Sequence, residues 1–414
     1  MARKISTKII RNFSFSQLTT SIPTLSSQLR RSFLRTDTVI GRFELISRAH
    51  PEPLVLSIMS TETGSQYCIS FEDVKKAAEN IRGVAHKTPV LTSRSIVASS
   101  GHDDGKNYFF KVEAMQKTGS FKFRGALNAI KNHLEVDQSE ELLVVTHSSG
   151  NHAQALALAS KLASNETKMV AATIVMPNSA PLVKKNAVKD FGAKIVMVEN
   201  TNEARKAEAE KVMASTGATF VHPSEDPLVI AGQGTVCLEF VQQVRDLLGG
   251  GDELDAVIIP VGGGGLASGN CITLRRILGS KVKIILAEPE TLNDAKRSFQ
   301  EGKLLKHHPD KKLDSVADGL KTTLGPNTWP IIRDLVDDII TVSEAEILRA
   351  TKLVWERLKV VIEPSAGVGV AVAQSLEFNS KYKKCDGISN VGIVLCGGNV
   401  DILKISSKMQ ELGI

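Results

Sequence analysis

The sequence predicts an α/β protein whose parallel sheets are covered by helices on both faces. Three observations carry that expectation. From about residue 70, short strands rich in Val and Ile alternate with helical segments. Polar, glycine-rich stretches follow the strands: THSSGNH (146–152), PVGGGGLASG (260–269), AEPETLND (287–294) and LCGGNVD (395–401). Finally, 414 residues suffice for two domains with sizeable cores. Such sheets bind ligands at the carboxyl ends of their strands, so the chemistry is expected at those turns.

The elements follow in order. FEDVKKAAENIRGV (71–84) places apolar residues at helical spacing and reads as an amphipathic helix. NYFFKVE (107–113) is a short strand, and GALNAIKNHL (125–134) a helix. ELLVVTHSS (141–149) is a strand ending in small polar residues, and NHAQALALASKLAS (151–164) the helix after it. KMVAATIVMP (168–177) is a strand, and APLVKKNAVKDFG (180–192) a helix stopped by glycine. AKIVMVE (193–199) and NEARKAEAEKVMASTG (202–217) repeat the pair. DAVIIPV (255–261), GNCITLRRIL (269–278) and KVKIILAE (281–288) form a strand, helix and strand, and VGIVLC (391–396) a late strand. No internal repeat is present.

Composition excludes several classes. The chain is 42% apolar and 23% charged, as ordinary globular proteins are. No run of eighteen apolar residues exists, so no helical membrane span is expected. The net charge of +6 comes from the start of the chain: residues 1–50 hold nine Lys and Arg against Asp37 and Glu44, leaving the rest near −1. A near-neutral body gives no electrostatic case for nucleic acid. The basic leader, residues 1–64, is rich in Ser and Thr and carries no acid before Asp37. It reads as a mitochondrial or plastid transit peptide, or else as a disordered tail of a cytoplasmic protein; Met59 offers an alternative start. Cysteines 68, 237, 271, 385 and 396 are scattered without a CxxC pair, which argues against disulfides and structural zinc.

KTGSFKFRG (117–125) sets Lys122 between Phe121 and Phe123. Apolar neighbours desolvate an ammonium and lower its pKa, which makes a nucleophile or base; a solvated surface lysine is the plainer alternative. PVGGGGLASG has two functional readings. Gly262, Gly264 and Ala267 satisfy the dinucleotide fingerprint, with the acid Glu288 ending the next strand, as in an NAD-linked oxidoreductase. Alternatively, Gly262, Gly263, Gly264 and Gly265 offer bare N–H groups to one phosphate at a helix start. A reactive lysine and a single-phosphate cup together are what pyridoxal phosphate (PLP) needs.

The segments SFKFRGALNA, THSSGNHAQALALA, AGQGT, PVGGGGLASG, DGLKTTLG, NTWPIIRDLVDD, EPSAGVGVA and LCGGNVD, in that order, resemble the fold-type II PLP enzymes, and within them the eukaryotic serine racemase and threonine dehydratase family. The resemblance runs from about Gln66 to Asp401. It implies a tryptophan synthase β-like fold, two doubly wound domains around a cleft. The large PLP domain would take residues 65–142 and 221–414, with a smaller domain, 143–220, inserted and moving to close the site. It implies that Lys122 carries the cofactor and Phe121 packs beside it. Asn151 would bond the cofactor's phenolic oxygen, and Gly262 to Gly265 its phosphate. Ser149 would face Lys122 across the substrate, as a second acid/base or simply as a carboxylate contact. Ser148, Gly150 and His152 would receive the substrate carboxylate, and Thr322 would help close the site. Glu288, the carbonyl of Leu292 and Asp294 would hold Mg2+, or Ca2+ or Mn2+. A homodimer is implied, with ATP as an effector of some members.

Two residues depart from the family pattern. Cys396 stands where a serine usually meets the pyridine nitrogen, and a thiol is the weaker partner. Ala153 adds a methyl beside the substrate loop. The activity implied is interconversion of L- and D-serine, with β-elimination to pyruvate and ammonia. Serine or threonine dehydratase, aspartate racemase and 3-hydroxyaspartate dehydratase are the alternatives. HPSEDP (222–227) holds Ser224 alone, where aspartate-preferring relatives carry a run of serines, which favours serine.

Overall fold

The computed structural model describes residues 66–93, 96, 105–148, 150–180, 182–308 and 313–414. The basic leader, with its transit-peptide reading and Met59, lies outside the described residues, as does Ser149.

Helix α1 (Phe71–Ile81) starts at a capping box: the Ser70 hydroxyl accepts from the Asp73 N–H while the Asp73 carboxylate accepts from the Ser70 N–H. Strands β1 (Val90–Thr92) and β2 (Asn107–Val112) follow, then helix α2 (Lys122–Val136). The next stretch alternates strictly: β3 (Glu141–His147), α3 (Asn151–Ala163), β4 (Met169–Pro177), α4 (Leu182–Asp190), β5 (Lys194–Val198), α5 (Asn202–Thr216) and β6 (Thr219–Phe220). Then come α6 (Pro227–Leu247), β7 (Ala256–Pro260), α7 (Gly265–Leu278), β8 (Lys283–Pro289), α8 (Asp294–Glu301), α9 (Trp329–Leu335) and β9 (Asp338–Val342). The chain closes with α10 (Glu344–Arg357), α11 (Pro364–Gln374), α12 (Leu376–Lys381), β10 (Asn390–Leu395) and α13 (Ile402–Glu411).

Two sheets result. The larger runs β1-β2-β10-β7-β8-β9, and the smaller β5-β4-β3-β6. All pairings are parallel except β1 with β2, an antiparallel edge too short to read from sequence. The smaller sheet is drawn wholly from residues 141–220. Its core reaches further, taking Phe123, Leu127 and Ile130 of α2 and Val229 of α6.

Helix α6 organises the centre. Asp226 caps it, its carboxylate accepting from the N–H groups of Leu228 and Val229, and Pro227 opens it. Glycines let it lie against two other helices at once. A Cβ on Gly232 would stand 2.5 Å from Gly125 Cα of α2, and one on Gly269 of α7 would stand 2.2 Å from the Ile230 carbonyl of α6. The helix that begins at Lys122 and the helix that begins at the glycine loop are thus locked to one rod.

Candidate active site

Lys122 opens α2, and the loop before it is tied to the end of β10. Ser120 bridges Gly397, and the Phe121 N–H donates to the Cys396 carbonyl at 3.2 Å. Lys122 Nζ donates to the Pro223 carbonyl at 2.7 Å and lies 5.1 Å from the Phe121 ring centre. Burial lowers its pKa to about 8, while Cys396 and Glu363 pull the other way. A substantial fraction of the amine is therefore neutral near physiological pH, ready to attack a carbonyl.

The glycine loop leaves β7 and enters α7. Its backbone is pressed on every side, so none of the four positions has room for a side chain. A Cβ on Gly262 would stand 2.9 Å from Leu320 Cα, and on Gly263 2.5 Å from Ser224 Oγ. On Gly264 it would meet Leu324 and Thr328 at 2.8 Å, and on Gly265 the Ser224 Cα at 3.0 Å. Gly264 also sits at φ +81°, as the residue before the first turn of α7. Bare N–H groups at a helix N-terminus suit one phosphate. Thr322 borders this loop: its Cγ2 would lie 3.2 Å from a Cβ on Gly263.

On the side of the smaller sheet, Ser148 and Gly150 lead into α3. The Ser148 hydroxyl accepts from the Gly150 N–H at 3.3 Å, and a Cβ on Gly150 would meet nothing within 4 Å. Asn151 donates to both oxygens of Glu363, at 2.9 and 3.2 Å, and accepts from Asn399 Nδ2 at 2.9 Å. His152 is buried, with Nε2 3.1 Å from the Val221 carbonyl and Nδ1 lacking a protein partner. Burial, reinforced by Lys122, lowers its pKa to about 3, so the ring is neutral. Cys396 is 2% exposed, and burial pushes its thiol well above the usual range. A cleft of about 1080 Å³ opens beside Gln154, Glu363 and Asn399. Its lining includes Lys184 of α4, paired with Asp318 at 3.0 Å, and residues of α13, but neither Lys122 nor the glycine loop.

Comparison with known proteins decides the family. Residues 81–397 match the model of the pyridoxal-phosphate dependent enzymes. Human serine racemase is 48% identical over 340 residues, 82% of this chain and 93% of the human protein. The crystal structure of serine racemase from Dictyostelium discoideum superposes with a TM-score of 0.71 at 43% identity, covering 81% of this chain and all of that one. A pyridoxal 5'-phosphate-dependent aspartate racemase superposes at 0.74 with 40% identity, covering 82% of this chain and 99% of that one. The chain belongs to the serine racemase family of pyridoxal-phosphate dependent enzymes.

The residues present fit the family's cofactor. A desolvated amine and a glycine cradle that any Cβ would fill both face the loop Pro223–Ser224. The NAD fingerprint fails on its acid: Glu288 is 2% exposed, and its two oxygens accept from the N–H groups of Ala295 and Lys296 at 2.8 and 2.9 Å. It caps α8 and faces no ribose. Asp294, the first residue of α8, accepts from the Leu324 N–H at 3.2 Å and stands 3.2 Å from His307 Nδ1. Burial raises the Glu288 carboxyl well above the ordinary range and lifts Asp294 to about 6. The two carboxyls lie close enough to repel one another, which adds to the rise at Glu288.

Sequence reasoning missed Glu363. It is 3% exposed, beside Asn151 and Gly397, and burial with Asp318 raises its pKa to about 8. The signal was present in EPSAGVGVA: a lone acid before a Pro that opens a wholly apolar helix. Glu225 and Thr328 were missed as well, and Ser224, read only for substrate preference, proves to wall the glycine loop. Glu225 accepts from the Asn327 N–H and the Thr328 hydroxyl, both at 2.8 Å, and Thr328 Oγ1 lies 3.1 Å from the Gly263 carbonyl. No residue within one segment announces that buttress.

Proposed function

We propose that the protein is a PLP-dependent serine racemase, interconverting L- and D-serine and diverting some serine to pyruvate and ammonia. The observation that carries this reading is 48% identity along 93% of human serine racemase. The site's chemistry agrees with it. The cofactor, when bound, acidifies the Cα proton of the amino acid it carries. Lys122 would hold it through its amine and, once released by substrate, take the Cα proton on one face. The N–H groups of Gly262 to Gly265 would receive the phosphate, Phe121 would pack beside the ring, and Cys396 would stand at the pyridine nitrogen. Asn151, already positioned by Glu363 and Asn399, would meet the phenolic oxygen. Ser148, Gly150 and His152 would receive the substrate carboxylate, with Thr322 at the closing edge. Ser149 would return a proton to the opposite face. Proton transfer from two sides gives the other enantiomer; loss of the β-hydroxyl as water, then hydrolysis of the resulting enamine, gives pyruvate and ammonia.

The same reading extends to a hard cation, Mg2+ or Ca2+, at Glu288, Asp294 and the Leu292 carbonyl. It includes a homodimer, checked by sedimentation, and an ATP response, checked by adding ATP to the assay. Import into a mitochondrion or plastid through residues 1–64 is tested by fusing them to a fluorescent protein. Full-length protein incubated with L-serine, PLP and Mg2+ should form D-serine and pyruvate in one tube. Pyruvate without D-serine would make it a dehydratase. Turnover of aspartate in place of serine would transfer the reading to aspartate racemase.

A further inference from the structure

The Lys122 amine and the phosphate cradle come from segments about 140 residues apart, yet both rest on one short loop. The Pro223 carbonyl accepts from Lys122 Nζ at 2.7 Å. The next residue, Ser224, forms the wall of the cradle against Gly263 and Gly265. The one after, Glu225, buttresses Thr328 under Gly263. Three consecutive residues therefore set where the amine lies relative to the phosphate. That loop belongs to no helix or strand, so something must fix its shape.

Asn327 holds the Glu225 end, its Nδ2 donating to the Glu225 carbonyl at 2.7 Å; the turn itself is held by one side-chain atom. His222 Nδ1 accepts from the Ser224 N–H at 3.2 Å and from the Glu225 N–H at 2.9 Å. Its ring is itself wedged, edge-on to His147 at 6.0 Å and to Phe220 at 5.8 Å between centres. Burial, with His147 and Lys122 adding to it, lowers its pKa to about 4, so Nδ1 keeps its lone pair at neutral pH.

We propose that His222 is a positioning residue, whose Nδ1 holds Pro223, Ser224 and Glu225 in the one arrangement that serves Lys122 and the glycine cradle together. The proposal rests on the reading that Lys122 carries the cofactor. It assigns His222 no contact with substrate.

Three variants separate acceptor position from ring packing. His222→Asn keeps an acceptor one bond beyond Cγ, where Nδ1 is. His222→Gln moves the acceptor one bond outward, and His222→Phe keeps the ring and removes the acceptor. The readouts on holoenzyme are the rate of cofactor loss in dialysis and the split of kcat and KM for L-serine. The Phe and Gln variants should lose PLP at least about tenfold faster, as expected for two missing hydrogen bonds. The Asn variant should stay within about threefold of wild type. A folded Phe variant that keeps PLP as wild type does would overturn the proposal, as would Asn and Gln variants that behave alike. If the Phe variant does not fold, the Asn and Gln pair decides. Should wild type hold no PLP, the cofactor reading fails instead. The rate of Lys122 modification by trinitrobenzenesulfonate, located by mass spectrometry, then tests His222 alone: it should change in Phe and Gln but not in Asn.

Discussion

Two clusters of buried charge flank the site, and they are neutralised in opposite ways. Beneath α2, Arg124 makes paired hydrogen bonds to Glu113 and to Glu239, all four at 2.8 Å. Lys111 adds bonds to Glu239, Gln243 and the Thr88 carbonyl at 2.8–2.9 Å. Arg124, Lys111 and Glu113 are wholly buried, and two cations meet two carboxylates. Beside α8, Glu288 and Asp294 are almost as buried, and the one basic side chain within ion-pair reach of either, among the described residues, is the His307 imidazole. The first cluster closes on itself and needs nothing from outside. The second carries two mutually repelling carboxyls with no lysine or arginine paired to either among the described residues.

The largest effect should come from breaking the balanced cluster. Arg124→Met strands Glu113 and Glu239 with Lys111 alone, and removing one partner of a buried ion pair costs about 3–5 kcal/mol. Urea denaturation should show a loss of that size. A loss under about 1 kcal/mol would mean that water reaches the carboxylates and that the network is not closed.

Glu288→Gln sharpens the contrast. Relief of the repulsion with Asp294 opposes the loss of one of the two cap bonds to Ala295 and Lys296, so stability in EDTA should shift by no more than about 1 kcal/mol. The substitution should also abolish stabilisation by Mg2+ or Ca2+, which for wild type at a hundredfold excess over Kd is about 2.7 kcal/mol. Thermal unfolding with and without each ion reads both. Equal stabilisation of variant and wild type would remove the cation from this site.

Glu363 shows a third solution, neutralisation by a proton. Its carboxyl is raised from 4.5 to about 8, burial first and Asp318 second. Between those values the folded state binds the proton and the unfolded state has lost it. Stability should therefore fall as pH rises through that window. Lys122 works in the opposite sense: lowered to about 8, it makes stability rise from there toward 10.5. Glu363→Gln should flatten the first slope and leave the second. Denaturation from pH 5 to 10 measures both, and an unchanged lower slope would show that Glu363 is ionised in the fold.

The sequence exposed the parts of this site that are local and hid those that are assembled. Lys122 between two phenylalanines and four glycines after a strand are signatures within ten residues. Glu363 and Lys184 act through partners more than 130 residues away, Asn151 and Asp318. The alternating strands were legible because strands buried on both faces are continuously apolar. Helix α11 was not, since PSAGVGVAVAQ is buried all round and rich in Val and Gly, a composition that carries no helical period. Helix α6 hid for the same reason, its glycines serving close approach to α2 and α7.

The smallest effect should attend Cys396→Ser, although the sequence resemblance expects a serine at this position. The thiol is buried and its pKa stands well above the ordinary value, so it is neutral like the hydroxyl that would replace it. No charge is gained or lost, unlike in Arg124→Met. Backbone, not side chain, ties this position to the site: the Cys396 carbonyl receives the Phe121 N–H, and that bond survives substitution. A serine would offer a stronger hydrogen bond to the cofactor's ring nitrogen at the cost of a slightly smaller side chain. D-serine formation should change less than about tenfold, one hydrogen bond being worth about 1 kcal/mol. A larger fall in racemisation with pyruvate formation intact would show that the thiol, by withholding a strong hydrogen bond from that nitrogen, sets the balance between the two products.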